Sequence, residues 1–254
     1  MGKIKETAFI TGQYEIADGI YDLWISTKIA NEAKPGQFVS FYTKDGSRLL
    51  PRPISICEIA GDGLLRVVYR VVGKGTEEFS KLDCGDEIEI AGPMGNGFPL
   101  LDKKAILIGG GIGIPPMYEL AKQLNCEKTV VLGYRDQLFL NEGFEEIPDT
   151  KVVIATEDGS KGTKGNVIDA IKEMGIEGDV IYACGPIPML RGVKAYAKEK
   201  GITAYISMEE KMACGVGACL GCVCKSTEVD DHSKVNNKRV CKDGPVFNAE
   251  EVDI

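Results

Sequence analysis

The sequence predicts an antiparallel β-barrel, then a doubly wound parallel-sheet domain, then a small cysteine-rich domain, all within 254 residues. Three observations carry that reading. The first hundred positions alternate apolar and polar residues in short runs separated by turn residues, the pattern of a closed antiparallel sheet. Continuous apolar runs alternating with helical periods follow, as in a buried parallel sheet with helices on both faces. The last segment crowds Cys214, Cys219, Cys222 and Cys224 into one glycine-rich loop, with Cys241 further on. The boundaries are predicted at 1–101, 102–207 and 208–254.

In the barrel, strands are expected over Thr7–Gly12, Ile20–Thr27, Phe38–Thr43, Ile54–Ile59, Leu64–Val72 and Glu87–Ala91, with one helix over Thr76–Leu82. Two stretches carry chemistry. Arg52-Pro53-Ile54-Ser55 opens a strand with a cation and a hydroxyl, and Gly73-Lys74-Gly75-Thr76 is a glycine-rich turn running into the helix. Free amides and a positive helix end suit an anion such as a pyrophosphate. Taken alone, each stretch also fits an ordinary surface loop.

The sheet domain opens with Ala105-Ile106-Leu107-Ile108, which passes directly into Gly109-Gly110-Gly111-Ile112-Gly113-Ile114-Pro115-Pro116 and a helix to about Leu124. Further buried strands are expected at Thr129–Tyr134, Val152–Thr156, Val180–Cys184 and Ala204–Ser207, with helices near Asn166–Met174 and Met189–Lys200. That makes five parallel strands, whose ligand crevice lies at their carboxyl ends. At that edge Gly111 and Gly113 let a phosphate approach the backbone, and Cys184-Gly185-Pro186 ends another strand. Proline stands where the last glycine of a G-x-G-x-x-G fingerprint would be, so a plain dinucleotide fingerprint is absent.

The cysteine loop reads C-x4-C-x2-C with a distant fourth cysteine, the spacing of a plant-type [2Fe-2S] site. Its glycines let backbone amides turn toward sulfur without a side chain in the way. A structural zinc site also takes four thiolates, but as separated knuckles. Cys224 lies two residues after Cys222 and has little slack to reach the same cluster. The predicted ligands are therefore Cys214, Cys219, Cys222 and Cys241. Cys57, Cys84 and Cys126 read as structural, and the one histidine, His232, as exposed and without a role.

Composition bounds the rest. A net charge of -8 with no basic block excludes nucleic-acid binding. The start Met1-Gly2-Lys3-Ile4-Lys5-Glu6 lacks the apolar core of a signal peptide, and Glu6 stands where a myristoylation motif wants Ser or Thr. Without a run long enough to span a bilayer, the expected location is cytoplasmic. The nine cysteines are then ligands or free thiols rather than disulfides.

A barrel with Arg-x-x-Ser and a later Gly-Thr, followed by Gly-x-Gly-x-x-Pro and Cys-Gly-Pro, resembles the ferredoxin reductase superfamily of flavoproteins. Met212-Ala213-Cys214-Gly215-Val216-Gly217-Ala218-Cys219 and the tail Val240-Cys241-Lys242-Asp243-Gly244-Pro245-Val246-Phe247 narrow the resemblance to the electron-transfer subunits of B-type dihydroorotate dehydrogenases. The resemblance assigns Arg52, Pro53, Ile54, Ser55, Val68, Tyr69, Arg70, Gly75 and Thr76 to FAD, with Arg52 at the pyrophosphate and Ser55 near the flavin N5. It places Cys184 beside the nicotinamide, though an ordinary buried thiol fits that position too. Ile54 stands where many relatives carry a tyrosine that stacks on the flavin, so the stacking partner is open. The resemblance further implies NAD as substrate and an FMN-containing (β/α)8-barrel partner that oxidises dihydroorotate to orotate, in a heterotetramer of two chains of each kind. Two other readings compete: the small subunit of an NADH-dependent ferredoxin:NADP oxidoreductase or sulfide dehydrogenase, whose loop tends to begin with aspartate instead of Cys214, and a non-redox zinc-binding interaction module.

Overall fold

In the computed structural model, residues 4–229 and 234–254 are described; the expectation for His232 lies outside them. Six antiparallel strands close into a barrel in the order β1-β2-β5-β4-β3-β6. They are β1 (Ile4–Ala17), β2 (Ile20–Ser26), β3 (Phe38–Phe41), β4 (Arg52–Ala60), β5 (Leu64–Arg70) and β6 (Glu87–Met94). Alternate side chains of each strand point inward, so Leu23, Ile25, Phe41, Ile56, Leu65, Val67 and Ile90 are wholly buried in one core. β1 outgrows its predicted stretch because its two halves pair with different neighbours, Ile4–Phe9 with β6 and Phe9–Ala17 with β2. A register shift between Ile10 and Gly12 lets it turn that corner. The helix α1 (Lys74–Phe79) starts and stops earlier than predicted.

The second sheet is wider than the predicted five strands. Its order is β10-β9-β8-β7-β11-β12-β15, seven in all. The five predicted strands are its centre: β7 (Ala105–Gly110), β8 (Lys128–Tyr134), β9 (Thr150–Thr156), β11 (Val180–Cys184) and β12 (Thr203–Ser207), all parallel. β10 (Thr163–Lys164) adds a short parallel edge beside β9. At the other edge β15 (Val246–Asn248), from the far end of the chain, pairs antiparallel with β12 through Ser207↔Val246 and Ile206↔Phe247. Local periodicity carries no sign of such a pairing, since a three-residue run finds its partner only in the folded chain. The sheet is flanked by α2 (Pro115–Gln123), the unpredicted α3 (Asn141–Glu145), α4 (Val167–Glu173) and α5 (Ile187–Lys200). Phe144 explains α3: it is fully buried, edge-on to Tyr118.

The cysteine loop leads into a hairpin of β13 (Val223–Lys225) and β14 (Asn237–Arg239). Cys222, Val240, Cys241 and Phe247 share one buried cluster with Phe38 and Met94 of the barrel and Ile206 of the sheet. The cluster segment is thus packed onto both larger units. Barrel and sheet are also joined by a polar chain through α2. Glu119 accepts from the Ile59 amide at 2.7 Å, Lys122 pairs with Glu58 at 2.7 Å, and Arg66 bridges Glu58 to a two-bond fork on Asp22. Among the described residues, no helix is long and apolar enough to cross a membrane.

Candidate functional site

Strand order reverses direction at β7, which lies between β8 and β11, and a crevice is expected outside the carboxyl ends of strands at such a point. A cavity of about 630 Å³ lies there, lined by Gly110, Gly111, Ile112, Gly113, Arg135, Glu157, Gly185 and Pro186 among others. The two glycines assigned to phosphate approach do different things. Gly111 has φ +53 with open space where a side chain would be, so its backbone faces a ligand without obstruction. At Gly113 a β-carbon would stand 2.3 Å from the Cys184 carbonyl oxygen; this glycine lets the β7–α2 turn pack on the end of β11. Cys184 itself is buried and lines neither cavity. Burial pushes its thiol well up, and it sits against Ser207 on the neighbouring strand.

A second cavity, of about 400 Å³, opens between barrel and sheet. Arg52, Pro53, Ile54, Ser55, Val68, Tyr69, Arg70 and Thr76 all line it, so one site gathers eight of the nine residues assigned to flavin. Gly75, the ninth, lies beneath Arg52: a β-carbon there would be 2.1 Å from Arg52 Nε. The guanidinium therefore lies over the start of α1, whose first amides have no intrahelical acceptor. Arg52 also donates to the Leu50 carbonyl. The Thr76 hydroxyl accepts from the Val72 amide at 3.0 Å and donates to the Gly73 carbonyl at 3.0 Å, so it shapes the turn. Ile54 faces the cavity yet belongs to the barrel core. Tyr69 stacks on Tyr21 and donates its hydroxyl to Gln13 at 2.9 Å; burial raises its pKa.

The two cavities share Arg70, Val72, Ile112 and Glu209 as walls, so they join. Sequence reasoning missed Glu209, which follows β12 with no periodic or motif signal. The residue as a whole is exposed, yet desolvation of its carboxyl raises the pKa. Phe38, Met212 and Pro245 also line the flavin-sized cavity without having been assigned to it.

The cysteine loop lies beyond Met212. The Val216 and Cys219 amides each donate to Cys214 Sγ at 3.4 Å, the Gly221 amide to Cys219 Sγ at 3.4 Å, and the Cys241 amide to Cys222 Sγ at 3.4 Å. The Val216 amide leads in lowering the Cys214 thiol to about 6, against the opposing cost of desolvation. Burial raises Cys241 to about 12, with Cys222 beside it adding to the rise. Among the described residues, no three ligand-type side chains converge on a point for a single ion. The four cysteines instead fall into two pairs, the Cys219 amide and thiol on Cys214 and the Cys241 amide and thiol on Cys222. A two-iron core held by four thiolates takes two per iron, with amide hydrogen bonds to sulfur setting its potential. The donor set fits that group. Cys224 turns away, donating to the Lys238 carbonyl at 3.6 Å across the hairpin. Cys57, like Cys184, is fully buried, while Cys84 is exposed and Cys126 half-buried.

Residues 209–253 match the family model described as the iron-sulfur cluster binding domain of dihydroorotate dehydrogenase B, and residues 107–195 match the oxidoreductase NAD-binding domain. The chain is 42% identical over 265 residues to the "Dihydroorotate dehydrogenase B (NAD(+)), electron transfer subunit" of Fusobacterium nucleatum subsp. nucleatum, covering 98% of each. The protein of that name from Bacillus cereus is 43% identical over 260 residues, again covering 98% of each. The chain belongs to the dihydroorotate dehydrogenase B electron transfer subunits. A solved structure of an NADH-dependent reduced ferredoxin-NADP oxidoreductase superposes with TM-score 0.86 at 31% identity, covering 97% of this chain and 89% of that one. A ferredoxin reductase of carbazole 1,9a-dioxygenase superposes with TM-score 0.67 at 19% identity, covering 80% of this chain and 67% of that one, and shares the fold. Membership in this family makes the chain an oxidoreductase subunit built for FAD, a [2Fe-2S] cluster and NAD.

Proposed function

We propose that this chain carries electrons between NAD and a partner subunit that interconverts dihydroorotate and orotate in pyrimidine biosynthesis. One observation carries the reading: the flavin-sized cavity shares walls with the crevice at the sheet edge and is bordered by residues next to the cysteine ligands. Ile112 and Glu209 belong also to the nicotinamide crevice, while Met212 and Pro245 flank the cysteine ligands in sequence. A bound flavin supplies the link between a two-electron nicotinamide and a one-electron cluster.

The chain's own residues position these carriers. Arg52 and the first amides of α1 would hold the pyrophosphate, by charge and by free N–H groups. Pro53, Ile54, Ser55, Val68, Tyr69 and Arg70 would form the flavin floor, Gly75 makes room for the Arg52 guanidinium, and Thr76 fixes the turn. Gly111 would receive the nicotinamide phosphates, with Gly113 and Cys184 supporting that turn from behind. Cys214, Cys219, Cys222 and Cys241 would hold the cluster, and the apolar Phe38, Met94 and Met212 keep water out of the space between. We assign residues 1–101 to the flavin unit, 102–207 to the nicotinamide unit and 208–254 to the cluster unit.

The two cavities and the loop serve the carriers in this reading, and we assign dihydroorotate oxidation to the partner. We propose an FMN-containing (β/α)8-barrel subunit, two of each chain per complex, in the cytoplasm. Anaerobically purified chain is expected to release FAD on acid extraction and to contain two irons and two acid-labile sulfides. Recovery of FMN alone, or zinc without sulfide, would overturn the reading.

A further inference from the structure

The cluster site described above is split between two segments, and something must set their spacing. Cys214, Cys219 and Cys222 lie in one loop, while Cys241 is 19 residues beyond Cys222, across the β13–β14 hairpin. Pairing of Val223 with Arg239 brings the segments side by side, but a short ladder fixes backbone register, not the reach of a loop on one side of it.

We propose that Arg239 is the positioning residue that holds Cys241 in register with the loop carrying the other three cysteines. This role rests on the cluster assignment above and on three sets of contacts. First, the Arg239 guanidinium makes a fork on Asp243, Nε to Oδ2 and Nη2 to Oδ1 at 2.9 Å each, while its backbone amide donates to the same Oδ2 at 2.8 Å. The Arg239 carbonyl accepts from the amides of Lys242, Asp243 and Gly244 at 3.1, 2.7 and 3.3 Å. One residue thus closes the turn around Cys241 from both its side chain and its backbone.

Second, the third guanidinium nitrogen crosses to the other segment: Nη1 donates to the Gly217 carbonyl at 3.3 Å. Contact there is close. Gly217 has φ +83, and a β-carbon on it would meet Lys242 Cδ at 2.7 Å, so the Lys242 stem lies flat on the loop beside this bond. Third, the turn has its own hold on the barrel. The Asn96 amide donates to the Gly244 carbonyl at 2.6 Å and Asn96 Nδ2 to the Asp243 carbonyl at 2.9 Å. Loss of the Arg239 side chain therefore leaves the Cys241 turn seated and Cys222 still bonded to Val240 and Cys241, while the Gly217 end of the three-cysteine loop loses this hydrogen bond to the turn. Only a planar fork with a spare donor can serve both segments, which a lysine ammonium lacks.

The test compares wild type with Arg239→Gln, Arg239→Lys, Asp243→Asn and the Arg239→Gln/Asp243→Asn double variant. Each purified protein is measured for the rate of iron release to a chelator and for the visible circular dichroism of the oxidised cluster, with FAD content alongside. Arg239→Gln and Arg239→Lys are each expected to release iron about ten-fold faster, the scale of a lost ligand-orienting contact, and to alter the dichroism, while FAD stays bound. The double variant is expected to be no faster than Arg239→Gln, because the pair acts as a unit. Wild-type rate and dichroism in Arg239→Lys, or effects of the two single changes that multiply, would overturn the proposal. Should Arg239→Gln not accumulate, Asp243→Asn decides alone: an unchanged release rate and spectrum refute it. Wild type lacking acid-labile sulfide would refute the cluster assignment itself, whereas a sulfide-containing wild type matched by its variants refutes only the role of Arg239.

Discussion

Gly75 is the residue on which the proposed flavin site turns. A β-carbon there would stand 2.1 Å from Arg52 Nε and 2.5 Å from its Cζ, so Gly75→Ala must push the guanidinium off the start of α1. Alanine is the better helix former by about 1 kcal/mol, and the fold is expected to keep its melting temperature. Flavin content after gel filtration should fall about ten-fold, the loss of one charge-assisted contact of roughly 1.5 kcal/mol; full retention would show that Arg52 does not bear on the flavin. The cysteines give a second contrast at this scale. Cys241→Ala should abolish the visible absorbance of the cluster, whereas Cys224→Ala should keep it, because the Cys224 thiol is spent on the Lys238 carbonyl. An indispensable Cys224 would reverse the ligand assignment. Arg52, Gly75 and the cysteine spacing were legible in sequence because each is a local motif with its own chemistry. Glu209 and the reach of Arg239 to Gly217 were not: the Arg239–Asp243 fork spans only four residues, but the cavity wall and the Gly217 contact form only by tertiary packing.

Among the elements, α2 bears most directly on how barrel and sheet meet. Glu119 is buried on α2 with its carboxylate on the Ile59 amide of β4 at 2.7 Å and on Gln123 at 2.7 Å. Burial outweighs those contacts and Lys122, raising its pKa above the ordinary 4.5. The folded chain therefore binds this proton more tightly than the unfolded chain, and that stabilisation is complete below 4.5 and lost as pH rises through the raised value. Glu119→Gln does not titrate. Its melting temperature relative to wild type should climb between pH 4 and neutrality, as followed by thermal unfolding across that range; a gap that narrows with rising pH would mean the carboxylate is favoured in its ionised form. Helix α2 was legible from Pro115-Pro116 and the apolar period after it. β15 was not, because Val246-Phe247-Asn248 is too short to declare a strand until β12 offers it an edge.

For the whole molecule, the barrel, the sheet and the cysteine segment matter less one by one than for the walls they share. Met208 donates its amide to the Pro245 carbonyl at 2.9 Å, which ties the exit of β12 to the turn after Cys241 at the edge of the flavin-sized cavity. On the function proposed above, this bond would help hold the electron carriers side by side, while dihydroorotate chemistry falls to the partner chain. Mixing this chain with the proposed FMN-containing partner subunit and following NADH absorbance after adding dihydroorotate and NAD tests that division most directly. NADH should form only when both chains are present, and the Cys241→Ala variant should fail in the mixture while still oxidising NADH with an artificial acceptor. Dihydroorotate-driven NADH formation by this chain alone, or undiminished transfer through Cys241→Ala, would contradict it.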